Sequence, residues 1–231
     1  MTTTEKIRRY LFAVGLDALA DHTPIVEKAI HDFIAQLGTP MEVSNDALYR
    51  YQVPLMSKDG SCSLIEEFDP MLFDLVRVLG AENEVTTRKL KLLNILVTRA
   101  TMVTGTDWVG IYQRRKTTAG AEFLVKLAYR GRPSRAEFPL NAKFALGSTN
   151  STVALSGQAK LIDNVAAYTA QGGGFYVCDD AVQSEFCVPV LDSDGNVIGI
   201  IDAEALPTGF FNADRQAAIV AMALVAPPLL P

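Results

Sequence analysis

Residues 175–190 read FYVCDDAVQSEFCVPV and hold two of the chain's three cysteines, Cys178 and Cys187, together with Asp179, Asp180 and Glu185. A cysteine thiolate attacks electrophilic sulfur, and a carboxyl kept neutral by burial can hand over a proton. Thiol and carboxyl placed just ahead of an apolar strand could therefore combine attack with proton supply. A second acidic pair, Asp202 and Glu204, closes the stretch VIGIIDAEA at 197–205. Two aromatic residues, Trp108 and Tyr112, stand in TDWVGIY at 106–112.

Strand alternation decides which of these can meet. In SEFCVPV, Glu185, Cys187 and Pro189 share a face, opposite Phe186, Val188 and Val190. In VIGIIDAEA, Ile198, Ile200, Asp202 and Glu204 share a face; in TDWVGIY, Trp108, Gly110 and Tyr112 do. Both parities are largely apolar near the strand centres, the pattern of strands covered on two sides. An ionised carboxylate in such a place must be paired, hydrogen-bonded or protonated. Glu185, Asp202 and Glu204 could thus converge with Trp108 and Tyr112 in one cavity. The plainer alternative is that solvated strand ends leave each acid on a rim, the usual position for carboxylates.

The elements that must hold these residues follow from periodicity. EKIRRYLFAVGLDALAD and PIVEKAIHDFIAQLG carry apolar residues at helical steps, with Pro24 suited to a first turn. LYRYQVPLMSKDGSCSLIEEFD reads as irregular or a short hairpin, and PMLFDLVRVLG as helix. A long helix follows in VTTRKLKLLNILVTRATMVTG and ends at Gly105. Past Gly105 the period becomes two, with strands in TDWVGIYQRR and AEFLVKLAYRG. GSTNSTVALSG reads as a short helix, KLIDNV as a short strand, and AAYTAQGGGFYVCDD as a long flexible connection. SEFCVPV and NVIGIIDAEA form a hairpin about Asp194-Gly195, and Asn212 caps a last helix. The order favours an α+β fold, an antiparallel sheet with helices on one face.

Composition sets further bounds. At 231 residues the chain can bury a sizeable core. The net charge of −5 comes entirely from the first eighty residues, and nothing basic or aromatic-rich suggests nucleic acid. Only two histidines occur, His22 and His31, which argues against a histidine-rich metal site. Three cysteines make no disulfide framework, and the first residues lack signal-peptide features. The expected setting is therefore a reducing cytoplasm without a membrane span.

The segments DWVGIY (107–112), GRP (131–133), CDDAVQSEFCVPV (178–190) and GNVIGIIDAEA (195–205) resemble GAF domains, and within them the free methionine-(R)-sulfoxide reductases. The likeness spans roughly residues 85–225. It implies a six-stranded antiparallel sheet with helices on one side and a ligand pocket on the other. A GAF domain over 81–231 would then follow a helical N-terminal extension over 1–80. It also implies roles: Cys178 as nucleophile, Glu185, Asp202 and Glu204 holding an ammonium and assisting protonation, Trp108 and Tyr112 lining the pocket. No metal or cofactor is implied. Two further cysteines usual in that family are missing from PSRAEFPLNAKFALGSTNSTVALSG, and Glu204 stands where Asp is more frequent.

Three functions are consistent with this reading. One is reduction of free methionine-(R)-sulfoxide, leaving a Cys178 sulfenic acid for a second thiol to resolve. Cys187 and Cys62 are the internal candidates, and an external reductant such as a thioredoxin-like protein is the alternative. For Cys187 the plainer role is a small buried apolar residue, and for Cys62 an incidental loop thiol. A second function is a non-catalytic sensor of an amino-acid-like small molecule. The third is a dimerisation or regulatory module, with a homodimer the expected assembly.

Overall fold

The computed structural model describes residues 2–39, 42–54, 71–176 and 179–231. Cys62 and Cys178 lie outside them.

The first element, α1 (Thr3–Ala13), starts at a reciprocal capping box between Thr2 and Glu5. A 3-10 turn leads into α2 (Thr23–Gln36), with proline in its first turn as expected. A short α3 (Asn45–Tyr49) runs straight into β1 (Arg50–Val53), which pairs antiparallel with β2 (Met71–Asp74). The strand at 71–74 replaces the first half of the helix expected over PMLFDLVRVLG, because cross-strand pairing with β1 captures it. Only Val76–Leu79 is helical (α4), and Gly80 at φ 94° ends it.

Asn83 caps α5 (Glu84–Thr104), and Gly105 closes it in the left-handed conformation at φ 73°. The main sheet then builds from β3 (Trp108–Lys116), β4 (Glu122–Arg130) and β5 (Glu137–Pro139). After α6 (Ala142–Ala145) and α7 (Thr149–Ser156) come β6 (Lys160–Ile162) and α8 (Val165–Ala170). The strands β7 (Ser184–Leu191) and β8 (Val197–Ala205) and the helix α9 (Ala213–Val225), capped by Asn212, complete the fold. Spatial order is β5-β4-β3-β8-β7-β6, every neighbour antiparallel. The connection expected to be flexible, from residue 166, instead begins within α8, whose Asn164 cap lies in the segment KLIDNV expected as strand; only Lys160–Ile162 of that segment is strand.

One sheet face carries the large core. Phe186, Val188, Val190, Ile201 and Ala203 of β7 and β8 meet α9 there, α5 covers β3 and β4, and Ile7, Leu11, Val26, Ile30 and Phe33 from α1 and α2 belong to the same cluster. The alanine-rich α9 lets α2 approach closely. Beyond the end of β6, the buried Tyr10 hydroxyl donates to the Pro189 carbonyl at 2.6 Å, tying α1 to β7. The N-terminal helical region therefore shares its apolar interior with the sheet. No helix among the described residues is long and apolar enough to cross a membrane.

Candidate functional site

The opposite face carries a smaller cluster built on Trp108, Tyr112, Leu124, Phe138, Cys187 and Ile200. Sheet register sets the acids within it. Glu185 of β7 lies directly across from Glu204 of β8, and Cys187 across from Asp202. On the other side of β8, Trp108 pairs with Glu204 and Gly110 with Asp202. Gly110 is required here: a Cβ at that position would stand 2.2 Å from Cη2 of Trp108, so only glycine lets the indole lie across its own strand. Trp108 Nε1 donates to the Arg132 carbonyl at 3.1 Å, and the Tyr112 hydroxyl to the Arg135 carbonyl at 3.2 Å.

These residues line a small cavity of about 20 Å³, with Trp108, Tyr112, Glu185, Asp202 and Glu204 in its walls. The fold adds Ser134, Phe138, Thr149, Asn150 and Tyr176 to the walls. A space of this size holds about one water, so a larger ligand requires the side chains of the wall to move apart. The sequence offered no signal for most of these additions, since they come from loops and a helix start that only tertiary structure brings to the sheet. The buried polar first turn of α7, Thr149-Asn150-Ser151, is the exception that a helix-start reading could have flagged.

Charge is concentrated where water is scarce. Glu185 is 2 % exposed and Asp202 3 %. Burial, then the neighbouring Asp202 and Glu204, pushes the Glu185 carboxyl well above the usual range. Burial raises Asp202 to about 6, even though the Asn150 amide donates to its Oδ2 at 3.0 Å. Among the described residues, Thr149 Oγ1, Glu185 Oε2 and Asp202 Oδ1 are buried without a well-formed hydrogen bond, although Glu185 stands close enough to Thr149 and Asp202 to be perturbed by both. Leaving such atoms unpaired is unfavourable, and a cationic donor in the pocket would satisfy them.

Of the thiols, Cys187 faces the same side as the acids but has no exposed surface and no disulfide. Burial first, then Asp202, Glu185 and Glu204, drives its thiol well above the ordinary value and keeps it protonated. The described residues flanking 177–178 make contacts at the pocket and beside it. Tyr176 lines the pocket and accepts from Arg135 Nη1 at 2.8 Å. Asp179 pairs with Arg132 at 3.1 Å in an adjoining cleft that shares Trp108, Ser134 and Glu204 with the pocket. Among the described residues, no group of three His, Cys, Asp or Glu side chains is placed to hold a metal ion.

A six-stranded antiparallel sheet, helical on one face and enclosing an acidic and aromatic pocket on the other, defines an α+β ligand-pocket domain. The chain belongs to the GAF domain family, whose pattern it matches over residues 89–226. Its fold is similar to that of a type II free methionine-R-sulfoxide reductase from Thermoplasma acidophilum (22% identity, TM-score 0.53, covering 63% of this chain and 95% of that one). It is also similar to the free methionine-R-sulfoxide reductase of Neisseria meningitidis in complex with its substrate (19% identity, TM-score 0.50, 64% and 91%). A structure described as the GAF domain, at 14% identity and TM-score 0.54, covers 90% of this chain and 88% of that one. No curated protein matches the sequence significantly. At these identities the likeness to solved structures is one of fold.

Proposed function

We propose that this chain binds a free amino acid through its ammonium group and reduces methionine-(R)-sulfoxide, with Cys178 as nucleophile. The observation that carries the reading is the group Thr149, Glu185 and Asp202, which lines the pocket with Trp108 and Tyr112 and buries three oxygens without a well-formed hydrogen bond. A primary ammonium has three N–H donors for such acceptors, and an indole face adds roughly 0.5–2 kcal/mol of cation attraction.

In the proposed reaction the Cys178 sulfur attacks the sulfoxide sulfur while a proton reaches the oxygen. Glu185 is the donor, being the acid held neutral most firmly. Oxygen passes to the cysteine, leaving methionine and a Cys178 sulfenic acid. An external dithiol then reduces the sulfenic acid, releasing water and forming its own disulfide. Burial among carboxylates makes Cys187 a poor resolving thiolate. An external partner is therefore favoured over Cys187, while Cys62 lies outside the described residues.

The missing cysteines between 133 and 157 favour one second reading, a GAF sensor that holds the same ligand without transforming it. Purified protein incubated with free methionine sulfoxide and a dithiol decides between them. Methionine release by wild type and none by Cys178→Ser supports the enzyme, and equal yields from both refute it. Saturable binding without release by either favours the sensor.

A further inference from the structure

Lys126 of β4 has no exposed surface, an unusual place for an ammonium. Its Nζ donates to the backbone oxygen and to Oγ of Ser134, at 2.7 and 2.8 Å. Three rings surround it, with centroids 4.1 Å away for Tyr129, 5.3 Å for Tyr51 and 5.8 Å for Trp108. Register explains how residues three apart come to one face. The pairing of β3 with β4 shifts between Ile111 and Tyr112, leaving Leu127 without a partner. Leu127 and Ala128 therefore both turn to the helical core, and Tyr129 returns to the side of Leu124 and the pocket.

Two of the groups around this cation, Ser134 and Trp108, line the ligand pocket. A third, Tyr51, comes from the N-terminal region. Its hydroxyl donates to the Lys126 carbonyl at 2.6 Å, and its ring meets Tyr129 edge-on at 5.7 Å. Tyr129 in turn stacks on Trp108 at 6.3 Å. A continuous series of contacts thus runs from β1 to the indole that lines the pocket.

We propose that Lys126 is a positioning residue for the pocket and that Tyr51 lets the N-terminal region set the pocket's aromatic wall. The proposal rests on reading that pocket as the ligand site. An ammonium removed from water must have its hydrogen bonds and counter-field supplied locally. Among the described residues Ser134 and the ring faces contribute to both, which holds Ser134 and Trp108 in one arrangement. Packing alone would be served by Met or Leu, so the charge acts by orientation. A wall already ordered lowers what binding must spend on ordering it. The effect falls on affinity and spares the chemical step.

The test uses full-length Lys126→Met and Tyr51→Phe proteins, checked for folding by circular dichroism. Trp108 is the sole tryptophan, so acrylamide quenching of its emission in ligand-free protein reports directly on the wall. Quenching is expected to rise in both variants. Affinity for free L-methionine-(R)-sulfoxide should fall about tenfold in Lys126→Met, the size of a lost cation–ring contact. It should fall about fivefold in Tyr51→Phe, the size of one lost hydrogen bond. Any turnover should show a raised KM at near-constant kcat. Folded variants with wild-type quenching and affinity would overturn the proposal, as would a fall in kcat alone. If Lys126→Met does not fold, Tyr51→Phe, which keeps the ring and loses only the hydroxyl, decides alone. If wild type takes up no sulfoxide, the pocket reading fails, and the quenching comparison still decides the positioning claim.

Discussion

Replacing Asp202 by Asn should stabilise this protein at neutral pH while weakening its ligand site. In the unfolded chain an aspartate gives up its proton at its ordinary value of 3.8, whereas in the fold burial holds that proton until about pH 6. Between those values the native state binds more protons than the unfolded one, so stability falls as pH rises and stays reduced above pH 6. At about 1.4 kcal/mol per pK unit, the difference amounts to about 3 kcal/mol. Asp202 is 3 % exposed, so solvent screens little of it. The amide of Asn keeps the shape, can still accept from Asn150, and has no charge to desolvate. It also relieves the field that Asp202 exerts on Glu185, which adds to the gain in the same direction. Urea unfolding across pH 3 to 8, followed by Trp108 emission, measures this. The two proteins should match near pH 3, diverge between pH 4 and 6, and differ above that by about 3 kcal/mol in favour of Asn. The carboxylates held low, Glu122 and Asp192, act in the opposite sense but are common to both proteins and cancel in the difference. Parallel curves from pH 4 to 7, or a less stable variant at pH 8, would refute the reasoning.

Two further outcomes follow from the same geometry. Gly110→Ala sets a methyl 2.2 Å from the Trp108 ring. It should destabilise by about 1–3 kcal/mol, as overpacking does, and a red shift of the emission would show the indole displaced. Cys187 should resist Ellman's reagent at pH 8 in the native state and react only on unfolding, because burial keeps it an inaccessible thiol; rapid native labelling of a Cys187-only protein would contradict its placement.

Alternation in β7, β8 and β3 was enough to put Glu185, Asp202, Glu204, Trp108 and Tyr112 on one face, because those strands pair without a break across the acids. Register within the sheet was not legible. The bulge at Leu127 that brings Lys126 and Tyr129 to the pocket side depends on pairing between β3 and β4, which no local pattern encodes. Met71–Asp74 misled for a similar reason: four residues of ambiguous apolar character became a strand once β1 lay beside them. Asn150 and Thr149 reach Asp202 and Glu185 only because α7 packs over the sheet. The Asn83, Asn212 and Gly105 boundaries were readable since caps and left-handed glycines act within one helical turn.

The central claim is that buried carboxylates hold a ligand's ammonium, and calorimetry with two ligands tests it most directly. Free methionine sulfoxide and its N-acetyl derivative differ in that charge and share the sulfoxide. The account expects saturable binding of the free amino acid and a loss of at least about a hundredfold on acetylation, since the derivative offers no cation to the Glu185 and Asp202 oxygens. Equal affinities for the two would contradict it.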